Sequence, residues 1–257
     1  RLLCEDEAIV GTPFYVMDYV EGRVLTDTSL SALPRDQRRA TYEALAETLA
    51  ALHRVDPSSV GLADFGKTEN YVGRQVDRWT KQYLAAKTDD LPEMDALMAW
   101  LPEHAPKGEE TAIVHGDFRL GNMIYHPTEP RVIAVLDWEL ATLGHPLADL
   151  AYAALPWRFP PNPAMPGLVG VDLETEALPT ESEFVATYCR AVGRPDAPDW
   201  PFFLALSLFR LAGICQGVYA RSLAGNAADR RAASMQQVAI ACAKIGWSIA
   251  QDGRKAA

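Results

Sequence analysis

The sequence predicts an α+β fold in which helices come first, then a small β patch, then helices again, with one strand at the start. Three observations predict it. Apolar stripes at helical spacing run through residues 34–101. The texture then changes to short β-branched runs separated by turn residues between 111 and 137. Two long apolar stretches close the chain, at 202–223 and 230–251.

Taken in order, "TPFYVMDYVEG" begins β-rich and ends in glycine, which reads as a strand over 14–17 running into a loop near Glu21 and Gly22. Pro34 opens a helix at a first-turn position; Leu45, Leu49 and Leu52 recur along it, and it ends near Val55, before Pro57. A second helix carries Val72, Val76, Trp79 and Tyr83 on one face. A third, opened by Pro92, carries Met94, Leu97, Met98 and Leu101. "TAIV", "NMIYH" and "RVIAVLD" then read as strands, with the turn "PTEP" joining the last two into a hairpin. Residues 155–201 are rich in proline and acid: seven acidic residues against Arg190 and Arg194 between Pro160 and Trp200, spread over a long loop and one helix at 181–192. A solvated acidic surface is the expected reading of that span, ahead of a cradle for a cationic substrate.

The bulk properties bound the function. A chain of 257 residues can bury a sizeable core. A formal net charge of -10 argues against a nucleic-acid partner, because phosphate backbones are held by clustered Lys and Arg. No window reaches 18 uninterrupted apolar residues, so no membrane partner is expected. The four cysteines are scattered and form no CxxC pair, which fits free thiols and a cytoplasmic setting.

The densest polar stretch is "HGDFRLGN", residues 115–122, on the loop between the first two strands of the patch. It presents His115, Asp117 and Asn122, and Asp137 follows at the far end of the hairpin. A hairpin returns a strand end beside its start, so Asp137 is expected near Asn122. One carboxylate and one carboxamide oxygen converging there suit Mg²⁺, which takes few protein oxygens and completes its shell with phosphate and water. Asp117 is then free to accept a proton from a hydroxyl. Metal, base and positioned nucleophile are the parts of phosphoryl transfer.

The run "IVHGDFRLGNMIYHPTEPRVIAVLDWELATLGHPLADLAY" resembles the catalytic segment of the aminoglycoside phosphotransferase and choline kinase family, in particular the branch related to the N-terminal domains of some acyl-CoA dehydrogenases. "FYVMDYVEG" resembles the hinge between the two lobes of such enzymes. The resemblance implies a protein-kinase-like two-lobe fold with a mainly helical C-terminal lobe, and a transfer from ATP (or GTP), with Mg²⁺, to a small-molecule hydroxyl. It implies Asp117 as catalytic base and Arg119 as a cation facing the γ-phosphate. Asn122 and Asp137 become metal and nucleotide ligands; Asp18 and Val20 offer backbone groups to the base, with Met17 lining the pocket behind. Asp149 matches a residue that braces the catalytic loop, and Glu139 stands where a further metal contact or simple solvation are evenly balanced. The association with acyl-CoA dehydrogenases suggests a hydroxyacyl compound as acceptor.

Most of the N-terminal lobe has no counterpart here. No glycine-rich loop precedes the hinge and no lysine occurs before Lys67. Residues 1–20 are therefore expected to be a remnant of that lobe and its hinge, with 21–257 the catalytic and substrate lobe, and an upstream piece is expected to be missing. Three alternatives stay open. One is a catalytically inactive, pseudokinase-like binding module. Another is a metal-dependent hydrolase using His115, Asp117 and Asp137. The third is a helical interaction protein that binds neither nucleotide nor metal. Among single residues, His115 is expected to brace its loop, and His53 to hydrogen-bond carbonyls at a helix end. Arg119 pairs either with the phosphoryl group or with an acid such as Glu139. Arg210 and Arg221 either snorkel from an apolar helix or capture a substrate carboxylate or phosphate.

Overall fold

The computed structural model describes residues 2–108, 110–162, 165–224 and 230–255; Arg1, the first residue of the expected remnant, lies outside the described residues. β1 (Leu2–Cys4) and β2 (Phe14–Val16) form an antiparallel hairpin with Leu3 opposite Tyr15. The sequence reading found β2 and missed β1. Both strands are three residues long and mostly exposed, so neither leaves a burial pattern to read. After the hairpin the chain crosses to the β patch, where Arg23 and Tyr125 exchange backbone hydrogen bonds at 2.8 Å each. The Arg23 guanidinium also donates to the carbonyls of His126 and Glu129 at 2.9 Å, tying this crossing segment to the turn beyond.

The three expected helices form at their apolar stripes. α1 (Arg35–His53) starts one residue after Pro34 and buries Tyr42, Leu45 and Leu49; Leu52 is only half-buried. α2 (Tyr71–Ala86) buries Val76, Trp79 and Tyr83, and α3 (Pro92–Glu103) buries Met94, Leu97 and Leu101. Pro102 lies in the last turn of α3, where it removes one backbone donor, and the His104 N–H closes the helix on the Trp100 carbonyl at 3.2 Å.

The β patch is three separate two-stranded pairs counting the N-terminal hairpin. β3 (Ala112–Val114) does not pair with its sequence neighbour. It pairs with β6 (Thr142–Gly144), a strand the sequence reading missed, with Ile113 opposite Leu143. β4 (Met123–Tyr125) and β5 (Val132–Val135) form the expected hairpin. β5 stops at Val135 and not at Asp137 as expected, because Asp137 takes a left-handed backbone (φ 67°) that a strand cannot accommodate. A short helix, α4 (Pro146–Ala153), follows β6 and also escaped the periodicity search; it spans only two turns.

α5 (Glu181–Val192) spans the predicted residues and opens on a capping box, Thr180 with Glu183. The acidic span stays largely at the surface, with Asp172, Glu174, Glu183, Asp196 and Asp199 exposed, and three of its acids also pair with arginines. Glu176 pairs with Arg38, Glu183 with Arg39 at 2.9 Å, and Glu181 with Arg158, so the span fastens onto α1 and onto the segment after α4. α6 (Trp200–Leu223) packs along α7 (Met235–Lys255), and also against α2, α3 and α4. The last predicted helix begins as a 3-10 turn, Arg230–Ser234, before α7 proper. By length and composition α6 could cross a bilayer, but 72% of its most apolar window is buried inside this fold, where it forms the centre of the core.

That core is continuous from α1 to α7, and Leu49 sits fully inside it. Replacing Leu49 with Ala removes buried methyl groups and leaves a cavity, and should cost about 2–5 kcal/mol. Urea unfolding should show a lower midpoint with an unchanged slope; an unchanged midpoint would mean that the α1 stripe is not packed as described.

Candidate active site

The octapeptide is held from below by one buried carboxylate. Asp149, on the first turn of α4, is 2% exposed. Its Oδ2 accepts the His115 backbone N–H at 2.5 Å, and its Oδ1 accepts the Gly116 N–H at 2.8 Å. His53 Nε2 faces Oδ2 at 3.5 Å, and the Tyr188 hydroxyl meets His53 Nδ1 at 2.7 Å. With the His53 proton on Nε2, the nitrogen that faces Asp149, the Tyr188 hydroxyl donates to Nδ1. His53 therefore does not bond helix-end carbonyls, as expected from its position; it links α5 to the loop brace. Burial pushes the Asp149 carboxyl up, but His53 and the two loop N–H groups pull it down further, and the balance leaves it below the ordinary 3.8.

His115 braces the loop, as expected. Its Nε2 donates to the Leu136 carbonyl at 2.8 Å, and its Nδ1 accepts the Asp117 N–H at 3.1 Å. Both ring nitrogens are thus committed, which removes His115 from a metal-ligand set and weakens the hydrolase alternative. Gly116 adopts φ 84°, and a Cβ there would lie 2.7 Å from the Leu140 carbonyl, so the loop requires glycine at this point. The other histidines are structural. His126 Nδ1 accepts backbone N–H groups of its own turn at 3.2 and 3.3 Å. His145 caps α4 by accepting the Leu147 N–H at 3.2 Å, and burial pushes its pKa down to about 4, which keeps it a neutral acceptor.

On this frame the predicted residues separate into two groups. Asp117, Arg119, Asn122 and Asp137 come together. The Asn122 amide donates to the Asp117 carbonyl and to its Oδ2, both at 2.8 Å. Arg119 Nε donates to the same Oδ2 at 3.2 Å; it pairs with Asp117 and not with Glu139. The Leu136 N–H donates to the Asn122 carbonyl at 2.8 Å, which sets Asp137 next to Asn122 across the hairpin. Because the Asn122 NH₂ group is spent on Asp117, its Oδ1 is the atom left to face a cation. That oxygen and the exposed Asp137 carboxylate are the hard-oxygen groups here that could hold Mg²⁺. Met17, Asp18 and Val20 follow β2 at the other end of the chain's path; Met17 and Asp18 are exposed and Val20 is half-buried.

Sequence reasoning missed Tyr152, the next turn of α4, whose phenol is held protonated by burial and by Asp117 beside it. It also missed a cleft of about 430 Å³ lined by Gly116, Glu139 and basic residues of α2. The spacing of Tyr71, Arg74 and Arg78 was the available signal, but it coincides with the pattern of a solvated helix face.

Residues 1–203 match the profile of the phosphotransferase enzyme family. The chain belongs to that family. A crystal structure of a candidate aminoglycoside phosphotransferase from Ralstonia eutropha superposes with a TM-score of 0.92 at 45% identity, covering 98% of this chain and 77% of that one. The choline kinase of Streptococcus pneumoniae shares the fold at a TM-score of 0.54 and 16% identity, over 90% of this chain and 73% of that one. The kinase-like fold expected from the motif is therefore the fold of this family member. Among curated proteins, acyl-CoA dehydrogenase family member 10 of Mus musculus is 44% identical over 249 residues, 96% of this chain and 23% of its own length. The chain spans less than a third of the length of the curated relatives named as acyl-CoA dehydrogenase family members.

Since the Asp149 pKa is lower in the folded chain than its ordinary 3.8, its contribution to stability is complete above that value and is lost as the pH falls through the folded-state pKa. Asp149→Asn should destabilise the fold at neutral pH, by about 3–5 kcal/mol as for other broken buried pairs, and flatten the acid limb of the stability curve. An acid limb identical to that of the parent would remove Asp149 as the brace.

Proposed function

We propose that this chain is a small-molecule kinase that transfers the γ-phosphoryl of ATP (or GTP) to a hydroxyl, with Mg²⁺. The observation that carries the reading is the convergence of Asp117, Asn122 and Asp137 around one braced loop in a member of a phosphotransferase family. Asn122 and Asp137 would hold Mg²⁺, which when bound would supply positive charge against the charge developing on the phosphates.

The chain's own residues do the rest. Asp117 stands ready to take the acceptor's proton as the acceptor oxygen bonds to the γ-phosphorus and the bond from that phosphorus to the bridging oxygen breaks, releasing ADP. The amide of Asn122 and the guanidinium of Arg119 both point at one oxygen of Asp117 and leave Oδ1 for the substrate. Arg119, with its side chain 52% exposed, can exchange that pairing for the phosphoryl oxygens when substrates fill the site, where a fixed cation stabilises the transition state more than the ground state. Asn122 Oδ1 and Asp137 would hold the metal, and the segment of Met17, Asp18 and Val20 the base. In this reading residues 1–20 are the remnant of an N-terminal lobe with its hinge, residues 21–257 are the catalytic lobe, and the setting is cytoplasmic. The relation to acyl-CoA dehydrogenase family members supports a hydroxyacyl compound as acceptor.

Asp137→Ala should abolish Mg²⁺-dependent nucleotide binding; calorimetry that returned the parent's MgATP affinity would refute the metal assignment. Asp117→Asn should bind nucleotide normally yet lose about 10²–10⁴-fold in kcat, because the base acts on the acceptor and not on the nucleotide. Turnover within a few-fold of the parent would take Asp117 out of that role.

A further inference from the structure

The cleft beside the catalytic loop is strongly basic in a chain whose net charge is -10. Lys67, Arg74, Arg78 and Arg210 line it, against the single carboxylate of Glu139. Arg74 and Arg78 lie four residues apart on α2, an arrangement in which like charges repel. Arg78 and Arg210 then crowd over one ring: their guanidinium carbons lie 5.6 and 5.2 Å from the centroid of Trp79. None of the four forms an ion pair with a carboxylate among the described residues, whereas Arg38, Arg39, Arg119, Arg131, Arg158 and Arg194 each do. The Nε of Arg210 is buried without a hydrogen-bond partner among the described residues. Tyr71 lines the same cleft as Arg74, Arg78 and Arg210; burial raises its pKa and the three guanidiniums oppose that rise. Lys67 and Arg78 are exposed, Arg74 is half-buried and donates to the Lys67 carbonyl, and Arg210 is half-buried with its Nε unmet; gathering like charges this closely costs free energy that an anion in the cleft offsets.

The position says which molecule brings the anion. Gly116, bonded directly to Asp117, forms part of the cleft wall. Arg210 also stacks on Tyr152 at 4.8 Å, and Tyr152 faces Asp117. None of Met17, Asp18, Val20, Asn122 and Asp137 lines the cleft, so it stands apart from the residues assigned to nucleotide and metal. Resting on the transfer reading above, we propose that the phosphoryl acceptor carries an anionic oxyanion group, a carboxylate or a phosphate, which Arg74, Arg78 and Arg210 seize in this cleft while its hydroxyl is presented to Asp117. Arginine suits this work because its planar fork matches both groups bidentately. Acceptors that are cations, with ammonium groups in place of the anion, are repelled from the same cleft.

Binding can be read without turnover. Inorganic phosphate and malonate are titrated separately into the full-length protein in the presence of MgADP, and the side-chain Nε–Hε resonances of the cleft arginines are followed by NMR. One probe should shift the signals of Arg74, Arg78 and Arg210, and which one does so distinguishes phosphate from carboxylate. Arg74→Gln and the exposed Arg78→Glu, which leave the apolar core intact, should each weaken that probe by about tenfold or more, as expected for a charge-assisted hydrogen bond. No shift with either probe in the presence of MgADP, or a shift indifferent to both substitutions, would overturn the proposal. Anion binding that survives in a protein unable to transfer phosphoryl groups would instead count against the kinase reading and leave the cleft assigned.

Discussion

A carboxylate buried as deeply as Asp149 is tolerable only if its charge is met on every side. Here it is met by two backbone N–H groups of the catalytic loop and by the imidazole of His53. The arrangement works in both directions. The loop donors keep the carboxylate ionised, and the carboxylate in turn fixes the path of residues 115 and 116, from which Asp117 departs. His53 comes from the end of α1 and Tyr188 from α5, so the helical body and the loop share one polar link inside an otherwise apolar core. Without that link Gly116 would have no reason to hold its left-handed turn, and Asp117, Asn122 and Arg119 would lose their common reference.

The second feature of the site is economy in the use of Asn122. Its amide hydrogens go to Asp117 and its backbone carbonyl goes to Leu136, so a single residue sets the base and the start of the hairpin that ends at Asp137. The cost is a buried carboxamide and a left-handed aspartate, both of which are placements that packing alone would not choose. Around this, charge is distributed unevenly. Glu176, Glu181 and Glu183 pair with arginines of α1 and of the segment after α4, while Arg74 and Arg78 of α2 and Arg210 of α6 meet at a cleft whose lining carries the single carboxylate of Glu139. A net charge of -10 conceals this separation entirely.

Much of this was legible in the sequence. Helices α1, α2, α3 and α5 declare themselves because each has one buried face, and burial every three or four residues writes a period into the composition. The HxDxxxxN loop and Asp137 are legible because the chemistry demands particular side chains at a spacing that a short hairpin fixes. Family membership followed from the same residues. The strands β1 and β6 and the helix α4 were not legible: three-residue strands and two turns of helix are too short to show a period, and β6 exists only because β3 needs a partner on its free edge.

What only the tertiary structure decided is who meets whom among residues far apart in the chain. His53 sits in a helix-end context that by itself points to carbonyls, yet Tyr188 and Asp149, 135 and 96 positions away, claim both of its nitrogens. Arg119 chose Asp117 over Glu139. Arg210 neither snorkels to solvent nor stands alone; it meets Trp79 of α2 and Tyr152 of α4 beside the catalytic loop. The physical reason is the same in each case. The sequence sets what each local segment can form, through periodicity and the chemistry of single side chains, but electrostatic pairing acts across space, and its partners are chosen only when the core has brought the segments together.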